Sequence, residues 1–322
     1  MLHLKVAPTI AAAIVLLGVG VWIFLGGSKA PPDTRKITVL ALSSTGRWLA
    51  AGTSAGLIRI WEEGRTLPLQ EIRESHGALN DLRFSPDERQ LAIANGNLSL
   101  VTMDRPGRID VVRDDDANYG NARFSADGRE VLVITGQSLL EVIEIATRRT
   151  TLKACCSSIY GEVAFSPDDA FIFNAGHHPS VWDARSGRLV TRLTSARAFH
   201  AFGPIAFDIP RNLVYMGSQD GRVYAWDMNT RQLRTISQAQ TGYVNTISVV
   251  GKTGWIVYSA FGGVVQMWNP GTGEQRQVVN ARTTSNLLFD ASNNLVLLGT
   301  DKGEVEAWDI IRGKIQRRVA LP

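Results

Sequence analysis

The chain has 322 residues, 44% of them hydrophobic and 20% charged, which is enough apolar material for a large core and excludes a compositionally disordered protein. Its 34 basic and 30 acidic residues leave a net charge of +4 with no Lys/Arg run, which speaks against a nucleic-acid groove. The only two cysteines, Cys155 and Cys156, are adjacent, a spacing unsuited to an unstrained disulfide, and they offer neither a disulfide framework nor a Cys/His metal motif.

Residues 1–5 form a short tail. From Val6 to Gly27 run 22 residues without a charge, and as a helix they would span about 33 Å, the thickness of a bilayer core. Pro8 falls in the first turn, where its missing N–H costs little, while Trp22 and Phe24 sit near the far end, where aromatic rings favour the headgroup boundary. Residues 6–27 are therefore predicted to be a transmembrane α-helix in contact with the lipid bilayer. A cleaved secretory signal is the competing reading, with Lys5 as its charged start and Ser28 and Ala30 as small residues at a cut. Against it stand the length of the apolar run and Pro31 directly after the cut. No cysteine lies near enough for a lipid anchor.

Residues 28–36 are a linker stiffened by Pro31 and Pro32. Lys29, Arg35 and Lys36 on this side outnumber Lys5 on the other, so the positive-inside rule places residues 37–322 on the cytoplasmic side by a narrow margin. A periplasmic or extracytoplasmic placement is the alternative.

The remainder, 37–322, repeats. An apolar residue, a turn cluster and a second apolar run recur at Leu42, Phe84, Phe124, Phe165, Phe207, Val249 and Phe289, spaced 42, 40, 41, 42, 42 and 40 residues apart. A short alternating strand ending in a large apolar residue recurs at Trp61, Val101, Ile143, Trp182, Trp226, Trp268 and Trp308. Both landmarks count seven. A period of about 40–45 residues with period-2 alternation predicts a seven-bladed, all-β propeller with four strands per blade. Ile37–Leu42 supplies a first strand for blade 1 and the segment 315–321 a fourth strand for blade 7, so each blade is expected to be contiguous in sequence, with no strand shared across the closure.

These residues resemble the WD-repeat family. Trp182–Asp183, Trp226–Asp227 and Trp308–Asp309 are literal Trp-Asp pairs, and Phe-Ser-Pro-Asp occurs at 84–87 and 165–168. The resemblance implies a buried His/Asp/Ser/Trp network in each blade, and here it departs from the family. Only His76 stands at the His position, Asn95 and Asn97 replace the turn Asp of that blade, and Asp220 and Asp301 lack a matching His. Hydrophobic packing between blades is therefore expected to carry the ring.

No catalytic or nucleotide-binding motif occurs. His177, His178 and His200 share one predicted face without a further ligand, and Asp114–Asp115–Asp116 lacks the spacing of a Ca²⁺ loop. No cofactor and no metal are expected, and the chain is read as a non-enzyme. By the resemblance, inter-blade loops and the turns between strands two and three gather on one upper face. They contain Tyr119, Tyr160, Phe199, His200, Phe202, Tyr243 and Phe261, with Arg197 and Arg282, the residue types that anchor protein interfaces. Tyr119, Tyr160 and Phe202 also lie five residues before the Phe landmark, where the family repeat places an inward-packing residue.

The sequence thus points to a single-pass membrane protein whose propeller is a protein–protein interaction scaffold, an accessory subunit of a membrane complex with protein partners and no nucleic acid. A small-ligand sensor or hydrolase facing the envelope is the alternative, using the propeller channel with His177, His178, Asp220 and Asp301.

Overall fold

The computed structural model describes residues 36–63, 65, 67–73, 79–105, 108–155, 161–176, 178–193, 202–237, 242–250, 254–260, 264–280, 287–290, 294–299, 304–310, 312 and 314–320, without side chains at 155, 202, 278–280 and 317–320. The predicted membrane helix, including Val6, Trp22, Phe24 and Gly27, lies outside them. Among the described residues no helix is long and apolar enough to cross a membrane.

Twenty-eight strands are described, in seven four-stranded antiparallel sheets, and every sheet uses four strands consecutive in the chain. Blade 1 is β1 (Ile37–Leu42), β2 (Trp48–Thr53), β3 (Leu57–Glu62) and β4 (Gln70–Arg73). Blade 7 likewise runs β25 (Leu287–Asp290), β26 (Leu295–Gly299), β27 (Glu304–Asp309) and β28 (Lys314–Ala320). Among the described residues no strand is exchanged between blades, as contiguity of the repeats implied, and β1 closes the ring by packing on β25 and β26.

The first strands of the blades face one another around the axis. After β1 they are β5 (Asp81–Phe84), β9 (Gly120–Phe124), β13 (Val163–Phe165), β17 (Phe202–Asp208) and β21 (Val244–Val250), and β25 is the last. Because successive strands reverse, the hairpins joining first to second strands open on one face, called lower here. The turns between second and third strands and the inter-blade connections share the upper face.

Burial tracks position in the blade. Middle strands such as β6 (Gln90–Ala94) and β10 (Glu130–Ile134) are apolar without alternation and wholly buried beyond their first residue, since a neighbouring blade covers each face. The outer strand β8 (Ile109–Arg113) exposes Ile109 and Val111 instead. Seven apolar clusters form, each straddling one blade–blade interface. The closing interface joins Ile37, Leu40 and Trp61 of blade 1 to Leu297, Val305 and Ala307 of blade 7.

The lower hairpins repeat one device. Ser85, Ser125 and Ser166 each donate to the Asp two residues on, at 2.6, 2.8 and 2.6 Å, and accept the N–H five residues on. Each turn ends on a residue in the left-handed region, at Gly46, Glu88, Gly128, Asp169, Asn212, Gly254 and Asn294, with φ between 53° and 80°. Gly, Asn and Asp suit that conformation, whereas Glu88 is strained there.

Glu88 and Asp169 use the position to clasp the preceding blade. The Glu88 carboxylate accepts from Ser44 Oγ, Thr45 N and Thr45 Oγ1 at 2.8, 2.6 and 2.9 Å. Asp169 meets Ala126 and Asp127 instead, accepts only the Ala126 N–H at 2.7 Å, and leaves Oδ1 buried without a partner. Burial, with the charges of Asp127 and Asp168, raises its carboxyl above the ordinary range. A raised folded-state value means that ionised Asp169 costs stability above that value and costs nothing once protonated. Asp169→Asn, which keeps the acceptor and tolerates the backbone, is expected to melt about 2 °C higher at pH 7. That gain should vanish as the pH falls through 4 toward 3, and a gain equal at both pH values would refute the titration argument.

Candidate functional site

A central channel of about 1000 Å³ is lined by residues of all seven blades, mostly on their first strands and, in blade 4, by Gly161 and Glu162 just before β13. On each of these strands residues two apart share a face. Thus Asp81 and Arg83, Asn121 and Arg123, and Glu162 reach the channel, while Leu82, Ala122 and Val163 are fully buried between blades. The charge is one-sided. Blades 2 to 4 supply Asp81, Arg83, Arg123 and Glu162, while the rest of the wall is neutral and includes Val39, Leu42, Pro204, Ile205, Thr246, Ser248 and Leu288, apart from the buried Asp290 at its lower end.

The four charged groups form a strut. Arg123 Nη1 donates to Asp81 Oδ2 at 2.5 Å and Nη2 donates to Glu162 Oε1. Glu162 Oε2 accepts the Ile205 N–H at 2.7 Å, so one chain of bonds ties blades 2, 3, 4 and 5. Burial alone would lower the Arg123 guanidinium, but the charges of Asp81 and Glu162 more than offset it and hold it above its ordinary range.

Arg83 stands differently. Asp81 Oδ1 lies 3.5 Å from its Nε and Glu162 Oε1 3.9 Å from its Nη2, both beyond good hydrogen-bond length. Its Nε is buried with no partner, although the side chain as a whole is 34% exposed. Burial and the adjacent Arg123 charge push this guanidinium below its ordinary range.

None of these four residues stood out in the sequence. The available signal was charge on the channel face of three successive first strands, in Asp-Leu-Arg-Phe, Asn-Ala-Arg-Phe and Glu-Val-Ala-Phe, where the other blades carry neutral residues.

Of the residues predicted for the upper face, Tyr243 is 46% exposed and stands at the channel mouth beside Gln219. Tyr119 is only 1% exposed, which is the inward packing that its place five residues before the landmark favoured over a place on the upper surface. It inserts into blade 2 against Ala92, Ala94 and Leu98, and its hydroxyl donates to Asp115 Oδ2 at 3.1 Å. The physical reason is its place in the repeat. Ile37, Leu79 and Val244 occupy the equivalent position and are likewise buried against the preceding blade. A residue at that step is a knob for the preceding blade, whatever its polarity. Tyr160, Arg197, Phe199, His200, Phe261 and Arg282 lie outside the described residues, and Phe202 lies on β17 without a described side chain.

His178 is exposed, while His177 and Asp301 are not described. Asp220 is not in the channel wall. Its Oδ2 accepts from Tyr224 Oη at 2.8 Å and from Arg222 Nη1 at 2.9 Å, a local replacement for the absent His. Asn97 similarly donates to Asp114 Oδ1 at 2.6 Å, so the acidic run tethers the upper loop of blade 2. Among the described residues no group of three or more His, Cys, Asp or Glu is arranged to hold a metal.

One protein-family model, described as "WD domain, G-beta repeat", matches residues 29–62, which include the first three strands of blade 1. No curated protein matches the chain. The matched repeat and the ring of seven four-stranded blades together support the WD-repeat propellers as the family to which this chain is similar.

Proposed function

We propose that this protein is a non-enzymatic interaction scaffold, an accessory subunit of a membrane protein complex held at the bilayer by residues 6–27. Propellers of this fold commonly serve as platforms for protein partners. The observation that carries the reading here is Tyr243, a large aromatic side chain left 46% exposed at the upper mouth of the channel. A half-exposed Tyr on a rigid support is the kind of residue that anchors an interface, because little conformational entropy is lost when it docks.

The test is co-purification after mild detergent extraction. Tyr243→Ala is expected to weaken capture of the partner about tenfold or more, the loss associated with an interface anchor, with an unchanged melting temperature. A strictly monomeric wild-type protein with no stable associate would refute the reading. The net positive flank of residues 28–36 supports a propeller on the cytoplasmic side. Thiol labelling of Cys155 and Cys156 in intact and permeabilised cells, with a denatured control, reads that side directly.

A further inference from the structure

We propose that the central channel is a binding site for a small oxyanionic ligand, a carboxylate or a phosphate, gripped by the guanidinium of Arg83. Three observations carry this.

The two carboxylates of the charged wall are already engaged at short range by Arg123, which takes one oxygen from each. The Arg83 guanidinium is left with two longer ion pairs, 3.5 Å from Nε to Asp81 and 3.9 Å from Nη2 to Glu162, and its buried Nε–H has no acceptor at good hydrogen-bond length. The buried Nε is out of a ligand's reach, but the exposed remainder of the guanidinium, held only by these long ion pairs, can offer its N–H donors to a ligand oxygen in the channel.

The room is there. The channel holds about 1000 Å³, and Arg83 is the member of the strut with the most exposed side chain, at 34% against 14% for Arg123, 18% for Glu162 and 9% for Asp81. The planar fork of Arg suits two oxygens of one carboxylate or phosphate.

The rest of the wall fits a ligand with an anionic end and a less polar body. Ile205 stands beside the charged set and Leu288 farther round the wall, with Thr246 and Ser248 as hydroxyl partners, and the Asn245 carboxamide oxygen is a second buried polar atom lacking a partner. The remaining carboxylate in the wall, Asp290, lies in blade 7 and has interactions of its own. The site does not depend on the scaffold reading, since a partner docked on Tyr243 and an ion held by Arg83 use different groups.

The test uses the full-length protein in mild detergent, titrated with inorganic phosphate and, separately, with malonate, against sodium chloride of equal ionic strength. Wild type is expected to show saturable stabilisation and a calorimetric isotherm with at least one of the two anions, and the anion that binds identifies the chemistry. Arg83→Gln should weaken that affinity at least tenfold, whereas Arg89→Gln, on an exposed lower turn, should leave it unchanged. Should Arg83→Gln fail to fold, Arg83→Lys keeps the charge without the fork, and at least a tenfold loss is again expected. The proposal is overturned if neither anion exceeds the chloride control, or if the folded Arg83 variant binds as wild type does. Neither result bears on partner capture through Tyr243.

Discussion

Arg123→Met is expected to destabilise the ring by about 3 kcal/mol, because removing one partner of a buried ion pair strands the others. Arg123 bonds Asp81 and Glu162 at once at short range, and these come from blades on either side of its own. With the guanidinium gone, two carboxylates in the channel wall are left to share Arg83, which stands 3.5 Å from Asp81 and 3.9 Å from Glu162. The loss should be read by equilibrium urea denaturation in detergent. Combining Arg123→Met with Asp81→Asn, Glu162→Gln and Arg83→Gln should recover most of it, since the neutral set leaves none of the four charges unpaired. A loss below about 1 kcal/mol for the single variant would show that the strut is a solvated surface network rather than a buried one.

Gly299→Val is expected to have the second large effect, and a distinctive one. A Cβ at Gly299 would lie 2.8 Å from Ile37 Cγ2 and 3.1 Å from Ile37 Cβ, contacts that a packed core does not accommodate without movement. Ile37 is fully buried and is the first residue of β1, so the displaced element is the strand that closes the ring. Overpacking of this kind costs about 1–3 kcal/mol. Gly217 offers the internal control, since its Cβ would meet Val244 at 2.5 Å in the same structural position between blades 5 and 6.

The two sites differ in what else holds the interface. Blades 5 and 6 are consecutive in the chain, whereas blades 7 and 1 are not, and among the described residues they share no strand and meet through the apolar cluster around Ile37. Gly299→Val should therefore raise amide exchange in β1 and β26 and expose blade 1 to limited proteolysis, while Gly217→Val lowers stability without opening the ring. Ile37→Ala in the Gly299→Val background should restore protection by removing the obstructing methyl groups. Equal protease sensitivity of the two glycine variants would refute the account of closure.

Both effects rest on features that are unequally legible in the sequence. Nothing there marks the small residue facing Ile37, although the knob itself is marked, because the residue five positions before each Phe landmark has a recognisable place in the repeat. Tyr119 shows the same rule deciding between two expectations. Its aromatic ring in an upper loop reads as a candidate interface anchor, but the repeat places it at a step that packs inward, and the phenol is accommodated by pairing with Asp115. Tyr243, one residue before the equivalent Val244, falls outside that step and stays exposed.

Charge is the harder part. Asp81, Arg123 and Glu162 are separated by about forty residues each, so nothing local marks them as partners. Within one strand, Asp-Leu-Arg-Phe reads as an ordinary solvated edge.

The count of seven blades, their contiguity and the absence of an exchanged strand were all determined by the sequence alone, because a propeller blade is a local object. Its turns, its period-2 alternation and its apolar landmarks lie within about forty residues of one another and recur. Which side chains meet across the axis was decided only by the tertiary structure. Ring closure brings distant first strands side by side, and only then does Arg123 take both carboxylates at short range, Arg83 keep only longer ion pairs to them, and Ile37 rest on Gly299.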